Sequence, residues 1–186
     1  MLGKAFAPRN SCNSLNPVPM SAFRQSVEAM IPALRRYARA LARDSDIADD
    51  LVQDTLERAL SRWLLRRADG DVRAWLFTIL RNLHVSRWRS ERRHGASVDM
   101  DETALPGVAA RQEAALEVHD VLAAIDQLPE EQKSLLLLVG VEDFSYDDAA
   151  RILGMPIGTV MSRLSRARQR LRALVAGKVT LLRRVK

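Results

Sequence analysis

At 186 residues with 29 Lys or Arg, 23 Asp or Glu and a net charge of +6, the chain has room for one domain or two small ones, and its charge favours a polyanionic partner. No run of about 18 apolar residues exists and the N-terminus lacks the apolar core of a secretory signal, so no membrane insertion and a cytoplasmic location are expected. A single cysteine, Cys12, excludes an intrachain disulfide and a Cys-based zinc site; His84, His94 and His119 lack metal-ligand spacing and read as structural or surface residues, so neither metal nor cofactor is expected.

Residues 1–21 carry Pro8, Pro17 and Pro19 among Asn and Ser without an apolar period, which predicts a disordered extension, with Met20 an alternative start. From there Phe23, Val27, Ile31, Leu34, Ala38 and Leu41 recur every three to four residues and predict an amphipathic helix ending near Arg43. Asp44, Ser45 or Asp46 can cap a second helix, whose apolar face is Ile47, Leu51, Val52, Leu56, Ala59, Leu60 and Trp63. Gly70 and Asp71 make the next break. Val72, Trp75, Leu76, Ile79, Leu80 and Leu83 then predict a third helix running into the basic segment 81–93. No alternating strand pattern appears, so residues 22–93 are expected to form an all-α domain.

Residues 94–113 contain Gly95, Pro106 and Gly107, lack a period, and carry Asp99, Asp101 and Glu102; they read as a flexible linker. Leu116, Val118, Val121, Leu122, Ile125 and Leu128 predict one helix, and Pro129 opens another through Leu135 to Val139. In the next segment Ser145 and Asp148 form a capping box, Ala149, Ile152 and Leu153 give an apolar face, and Gly154 with Pro156 beyond it ends the helix. Ala150, Gly154 and Val160 fall in the register of a helix-turn-helix. On the second helix of that motif Val160, Leu164, Ala167, Leu171 and Leu174 face the core. The opposite side carries Ser162, Ser165, Arg166 and Gln169, flanked by Arg163 and Arg170, side chains that pair with base edges and phosphates. From Gly158 to Lys186 there are nine Lys or Arg and no acid. Residues 114–176 are thus expected to form a second, four-helix domain, followed by a basic tail, 177–186.

Two further constellations lie in the first domain. Six carboxylates and no cation occupy Asp44 to Glu57, and Asp46, Asp50, Gln53, Asp54 and Glu57 share the exposed side of the second helix. That exceeds what capping requires and suits a basic protein surface. Downstream, Trp88 lies among Arg87, Arg89, Arg92 and Arg93, the aromatic and guanidinium mixture that stacks on unpaired bases and follows phosphates, while Trp75 and Leu76 belong to the core. Asn82, at the edge of the buried face, is available to an extruded base.

A double-strand reader, a single-strand reader and an acidic docking face in one chain resemble the extracytoplasmic-function (ECF) sigma factors of the sigma-70 family. The likeness spans about Phe23 to Val175. It rests on Ala48-Asp-Asp-Leu-Val-Gln-Asp-Thr-Leu-Glu-Arg-Ala-Leu60, Ala74-Trp-Leu-Phe-Thr-Ile-Leu-Arg-Asn82, Leu128-Pro-Glu-Glu-Gln-Lys133 and Gly158-Thr-Val-Met-Ser-Arg-Leu-Ser-Arg-Ala-Arg168. The resemblance implies a region 2 domain to about Arg93 and a region 4 domain from about Ala114. It implies that Asp50, Gln53 and Asp54 dock on the β′ clamp helices of core RNA polymerase, with the β subunit as a further contact. It places Asn82 and its neighbours, extending to Arg87, Trp88 and Arg89, at the melted minus-ten promoter element. Ser162, Arg163, Ser165 and Arg166, in one segment with Thr159 and Met161, match the positions that read the double-stranded minus-thirty-five element. The acidic linker would run through the polymerase toward the RNA exit path, and an anti-sigma factor would hold the protein inactive. Many relatives carry Lys or Arg where this chain has Met161, so a phosphate or guanine contact common in the family is not expected here.

The expected function is therefore promoter selection and melting by binding, without covalent chemistry: no nucleophile, general base or phosphate-cradling glycine loop is evident, and the chain is not expected to be an enzyme. A stand-alone helix-turn-helix regulator is the alternative; it would need no acidic docking helix and would normally dimerise. A sigma-like decoy for an anti-sigma factor would usually carry a receiver domain, and no strand-helix alternation supports one.

Overall fold

Proline and aspartate set the ends of the first helices. The computed structural model describes residues 19–63, 71–93 and 121–184, the stretch from 177 in backbone only. Helix α1 (Met20–Ala42) starts after Pro19, whose carbonyl accepts from the Phe23 N–H at 3.0 Å, and so begins slightly before the expected boundary. It stops at Arg43, whose φ of 63° is left-handed and whose N–H returns to the Arg39 carbonyl. Of the three candidate caps for α2 (Ser45–Ser61), Asp44 serves: its Oδ1 accepts from the N–H groups of Asp46 and Ile47 at 2.8 and 2.9 Å. Helix α3 (Val72–Arg93) begins where the Asp71 carboxylate accepts from the Arg73 N–H.

These three helices pack on one another. Phe23, Val27, Leu34, Tyr37, Ala38 and Leu41 of α1 are buried with Ala48, Leu51, Val52 and Ala59 of α2 and Ala74, Leu76, Phe77 and Leu80 of α3. Phe23 lies 6.2 Å from both Trp63 and Trp75, which are half-buried, as the periodicity of Trp75 requires. Leu60 corrects the apolar face expected for α2. It is 36% exposed, because seven residues from Gln53 is nearly two full turns and puts it on the acidic side.

The second half contains α4 (121–126), α5 (Glu130–Gly140), α6 (Tyr146–Leu153) and α7 (Ile157–Arg184). Its core is Ala124, Ile125, Leu128, Leu135, Leu137, Leu138, Ala149, Ile152, Leu153, Val160, Leu164 and Ala167. The backbone of α7 continues unbroken through 177 to Arg184. Among the described residues there is no strand, and no helix is long and apolar enough to cross a membrane. The expected extension (1–18 of it), Cys12, His119 and the linker 94–113 lie outside the described residues.

The two halves are in direct contact, α1 on α5 and α3 on α6. Glu142, in the loop between α5 and α6, has a side chain with no solvent exposure and receives Arg36 of α1 at 3.0 and 3.3 Å. Arg73 of α3 donates to the Glu142 carbonyl, lies 3.9 Å from its carboxylate, and places its guanidinium 4.3 Å from the Phe144 ring centre. Phe144 meets Phe77 edge-on at 4.9 Å. Around this centre Tyr37 and Ser134 share a 2.6 Å hydrogen bond, and His84 pairs with Glu130 at 2.8 Å. Lys133 donates to the Leu41 carbonyl and joins Arg43 on Asp126, at 2.9 and 2.8 Å. Burial drives the Lys133 ammonium down to a pKa of about 8, against the pull of Glu130, and holds the Tyr37 phenol above its ordinary value.

Candidate nucleic-acid interface and docking face

Helix α6 is short, and its two ends are fixed by side chain and glycine. The Ser145 hydroxyl accepts from the Asp148 N–H at 3.1 Å, and Gly154, at φ 64°, turns the chain while its N–H reaches the Ala150 and Arg151 carbonyls. The Met155 N–H also closes on Ala150. Pro156 then supplies the carbonyl that accepts from Thr159 and Val160 N–H groups and starts α7. This is the helix-turn-helix read from the sequence, with α7 as the second helix.

Val160, Leu164 and Ala167 are buried and Leu171 and Leu174 half-buried, so α7 presents its other side outward. Met161, Ser162, Ser165, Arg166, Gln169 and Arg170 are exposed there; Thr159 is half-buried. Arg163 is paired with Glu131 of α5, and the Ser162 hydroxyl donates to the Thr159 carbonyl at 3.1 Å. A concavity of about 240 Å³ opens between Tyr146 of α6 and Met161, Ser165, Arg168 and Arg172 of α7. Arg166, Arg168, Arg170 and Arg172 are exposed and have no carboxylate partner among the described residues. Exposed hydroxyls and unpaired guanidiniums on a projecting helix can meet base edges and phosphates together.

On α2, Asp50, Gln53 and Asp54 are all exposed. Gln53 is held by Glu57 at 3.0 Å, Asp49 by Arg35 at 3.7 Å, and Asp50 lies 3.7 Å from Arg87 of α3. Asp54 has no cation partner among the described residues. Leu60 adds an apolar side chain to this acidic face.

The end of α3 keeps its polar groups partly engaged. Asn82 is exposed and its carbonyl oxygen accepts from Arg81 at 3.4 Å, while the buried Arg81 Nε has no partner. Arg87 bridges Asp50 and Glu91, the latter at 3.4 Å; Trp88 is half-buried with the Arg92 guanidinium 4.8 Å over its ring. Arg89 is exposed, seven residues from Asn82 and on the same face. His84, among the histidines read as structural or surface, is buried against Glu130. Among the described residues no group of three His, Cys, Asp or Glu could hold a metal ion.

The polar centre at Glu142 was not legible from the sequence. Its only signal was Lys133 and Ser134 beside the apolar run Leu135 to Val139, where polar residues otherwise read as a solvated face.

Residues 27–81 match the family model for the Sigma2 domain of PhyR, and residues 118–171 match that for Sigma-70, region 4. The chain is 43% identical over 152 residues to the ECF RNA polymerase sigma factor EcfG of Rhodopseudomonas palustris, covering 82% of this chain and 84% of that protein. It is 35% identical over 142 residues to the ECF RNA polymerase sigma factor SigM of Mycobacterium tuberculosis, covering 76% and 71%. Among solved structures it is similar to the sigma factor RpoE of Bartonella quintana, determined in complex with the anti-sigma factor NepR, at a TM-score of 0.71 and 38% identity, covering 84% of this chain and 98% of that one.

Proposed function

The chain belongs to the ECF sigma factors of the sigma-70 family, and from that premise we propose how its surfaces divide the work of initiation. The exposed acidic face of α2, with Asp50, Gln53 and Asp54, docks on core RNA polymerase. The end of α3, with Asn82, Arg87, Trp88 and Arg89, holds unpaired bases of the minus-ten element, stacking and phosphate contact together favouring the melted strand. Helix α7 enters the major groove of the minus-thirty-five element with Thr159, Met161, Ser162, Arg163, Ser165 and Arg166. The energy is that of binding and no bond is made or broken by this chain.

The observation that carries this division is the outer side of α7, whose hydroxyl, amide and guanidinium groups are exposed while its apolar side is locked onto α5 and α6. An anti-sigma factor is the proposed inhibitor, by analogy with the Bartonella quintana relative seen with NepR. The experiment is run-off transcription with core polymerase and a randomised promoter library, with Asp54→Arg as the docking variant. A transcript that depends on the wild-type chain and vanishes with Asp54→Arg is expected. The absence of any dependent transcript with folded protein would sink the reading.

A further inference from the structure

Resting on the reading of α7 as the double-strand reader, we propose that Met161 reads the 5-methyl group of a thymine in the upstream promoter element. Met161 is 49% exposed, although Val160 before it is fully buried and Leu164 nearly so. It has no place in the core, and it lines the concavity against Tyr146 together with Ser165 and Arg168, at the flank of the outward side.

Two of its polar neighbours are already engaged. The Arg163 guanidinium, two residues on, is held by Glu131 of α5, and the Ser162 hydroxyl proton is directed to the Thr159 carbonyl. The first two turns of α7 therefore offer no unpaired cation before Arg166. Of the two large apolar side chains exposed there, Ile157 and Met161, the unbranched thioether of Met161 is the more exposed and the one that lines the Tyr146 concavity. Among the four bases only thymine displays an apolar substituent in the major groove, and the adaptable methionine chain suits a small methyl contact. Guanine, by contrast, is read by a cation, which this position lacks.

The test uses holoenzyme, the full chain with core polymerase, on a promoter selected from a library randomised in the upstream element. Each thymine of that element, on either strand, is replaced singly by deoxyuridine, which removes the methyl and nothing else. One replacement should lower transcript yield and competition binding about fourfold, the worth of one buried methyl group. Met161→Leu should keep that sensitivity, Met161→Ala should lose it, and Met161→Lys should move selection at that base pair toward guanine. Because Met161 is exposed, thermal unfolding of the free variants should match wild type. Wild-type holoenzyme that is indifferent to every deoxyuridine while still responding to base-pair changes in the element overturns the proposal and leaves the double-strand reading standing. So does Met161→Ala with full methyl sensitivity. Transcription that ignores the upstream element altogether overturns that parent reading itself.

Discussion

Arginine appears in two settings in this molecule, and the contrast explains what each is for. Where α1 and α3 meet the second half, cations converge on carboxylates: Arg36 and Arg73 on Glu142, and Arg43 and Lys133 on Asp126. On the outer side of α7, Arg166, Arg168, Arg170 and Arg172 stand in solvent with no carboxylate partner among the described residues. Paired arginines hold the two halves of the chain together. Unpaired ones leave charge available to a polyanion, whose condensed counterions are released on contact. Arg163, tied to Glu131, marks the edge between the two populations.

The contrast can be broken most severely on its acidic counterpart. Asp54, unpaired on α2, should behave as a binding residue, so Asp54→Arg is expected to lower polymerase affinity more than about a hundredfold in pull-down titrations, with duplex contacts by α7 intact. Arg73→Ala should act on the other population. It strips Glu142 of a carbonyl partner and a nearby charge and removes the cation over Phe144, and should cost about 2 kcal/mol in urea unfolding, below the loss for a fully buried pair because Arg73 is partly exposed. Arg166→Ala should do the reverse, weakening upstream-element use about tenfold in transcription while changing stability by less than about 0.5 kcal/mol. Equal loss of stability in both variants would erase the distinction.

Lys133 sharpens it by pH. Its folded pKa of about 8 lies below the ordinary 10.5, so between those values the unfolded chain keeps a proton that the folded chain has shed. Stability from this group rises as pH goes from 8 to 10.5, is lost as pH falls back across that window, and is unchanged outside it. A gain on the order of 1 kcal/mol in wild type, absent in Lys133→Met, is expected from urea unfolding at the two ends of that window. The smallest effect should come from Asp50→Asn, which releases Arg87 from an exposed 3.7 Å pair. Single-strand affinity is expected to rise no more than about threefold, since such pairs contribute little.

Much of this was readable from local chemistry. Ser145, Gly154 and Asp44 act through contacts within a few residues, and the inward side of α7 follows from helical period alone; both kinds of information are local in sequence. Leu60 was misread because seven apolar residues were assigned to one stripe, although its turn angle puts it beside Gln53. The contact between the halves was not readable at all. Its partners are separated by tens of residues to more than a hundred, as with Arg36 and Glu142, and each side chain alone looks like a solvated charge. Only the fold reveals that Glu142 has no access to water.

That buried carboxylate also acts as a ruler. With Glu142 gripped from α1 and α3 at once, the separation between Asn82 on one half and Arg166 on the other is set by packed side chains. Any change in that separation requires Arg36 and Arg73 to let go of Glu142, and Arg43 and His84 to leave Asp126 and Glu130, so the two helical bundles can part only by breaking a set of ion pairs together.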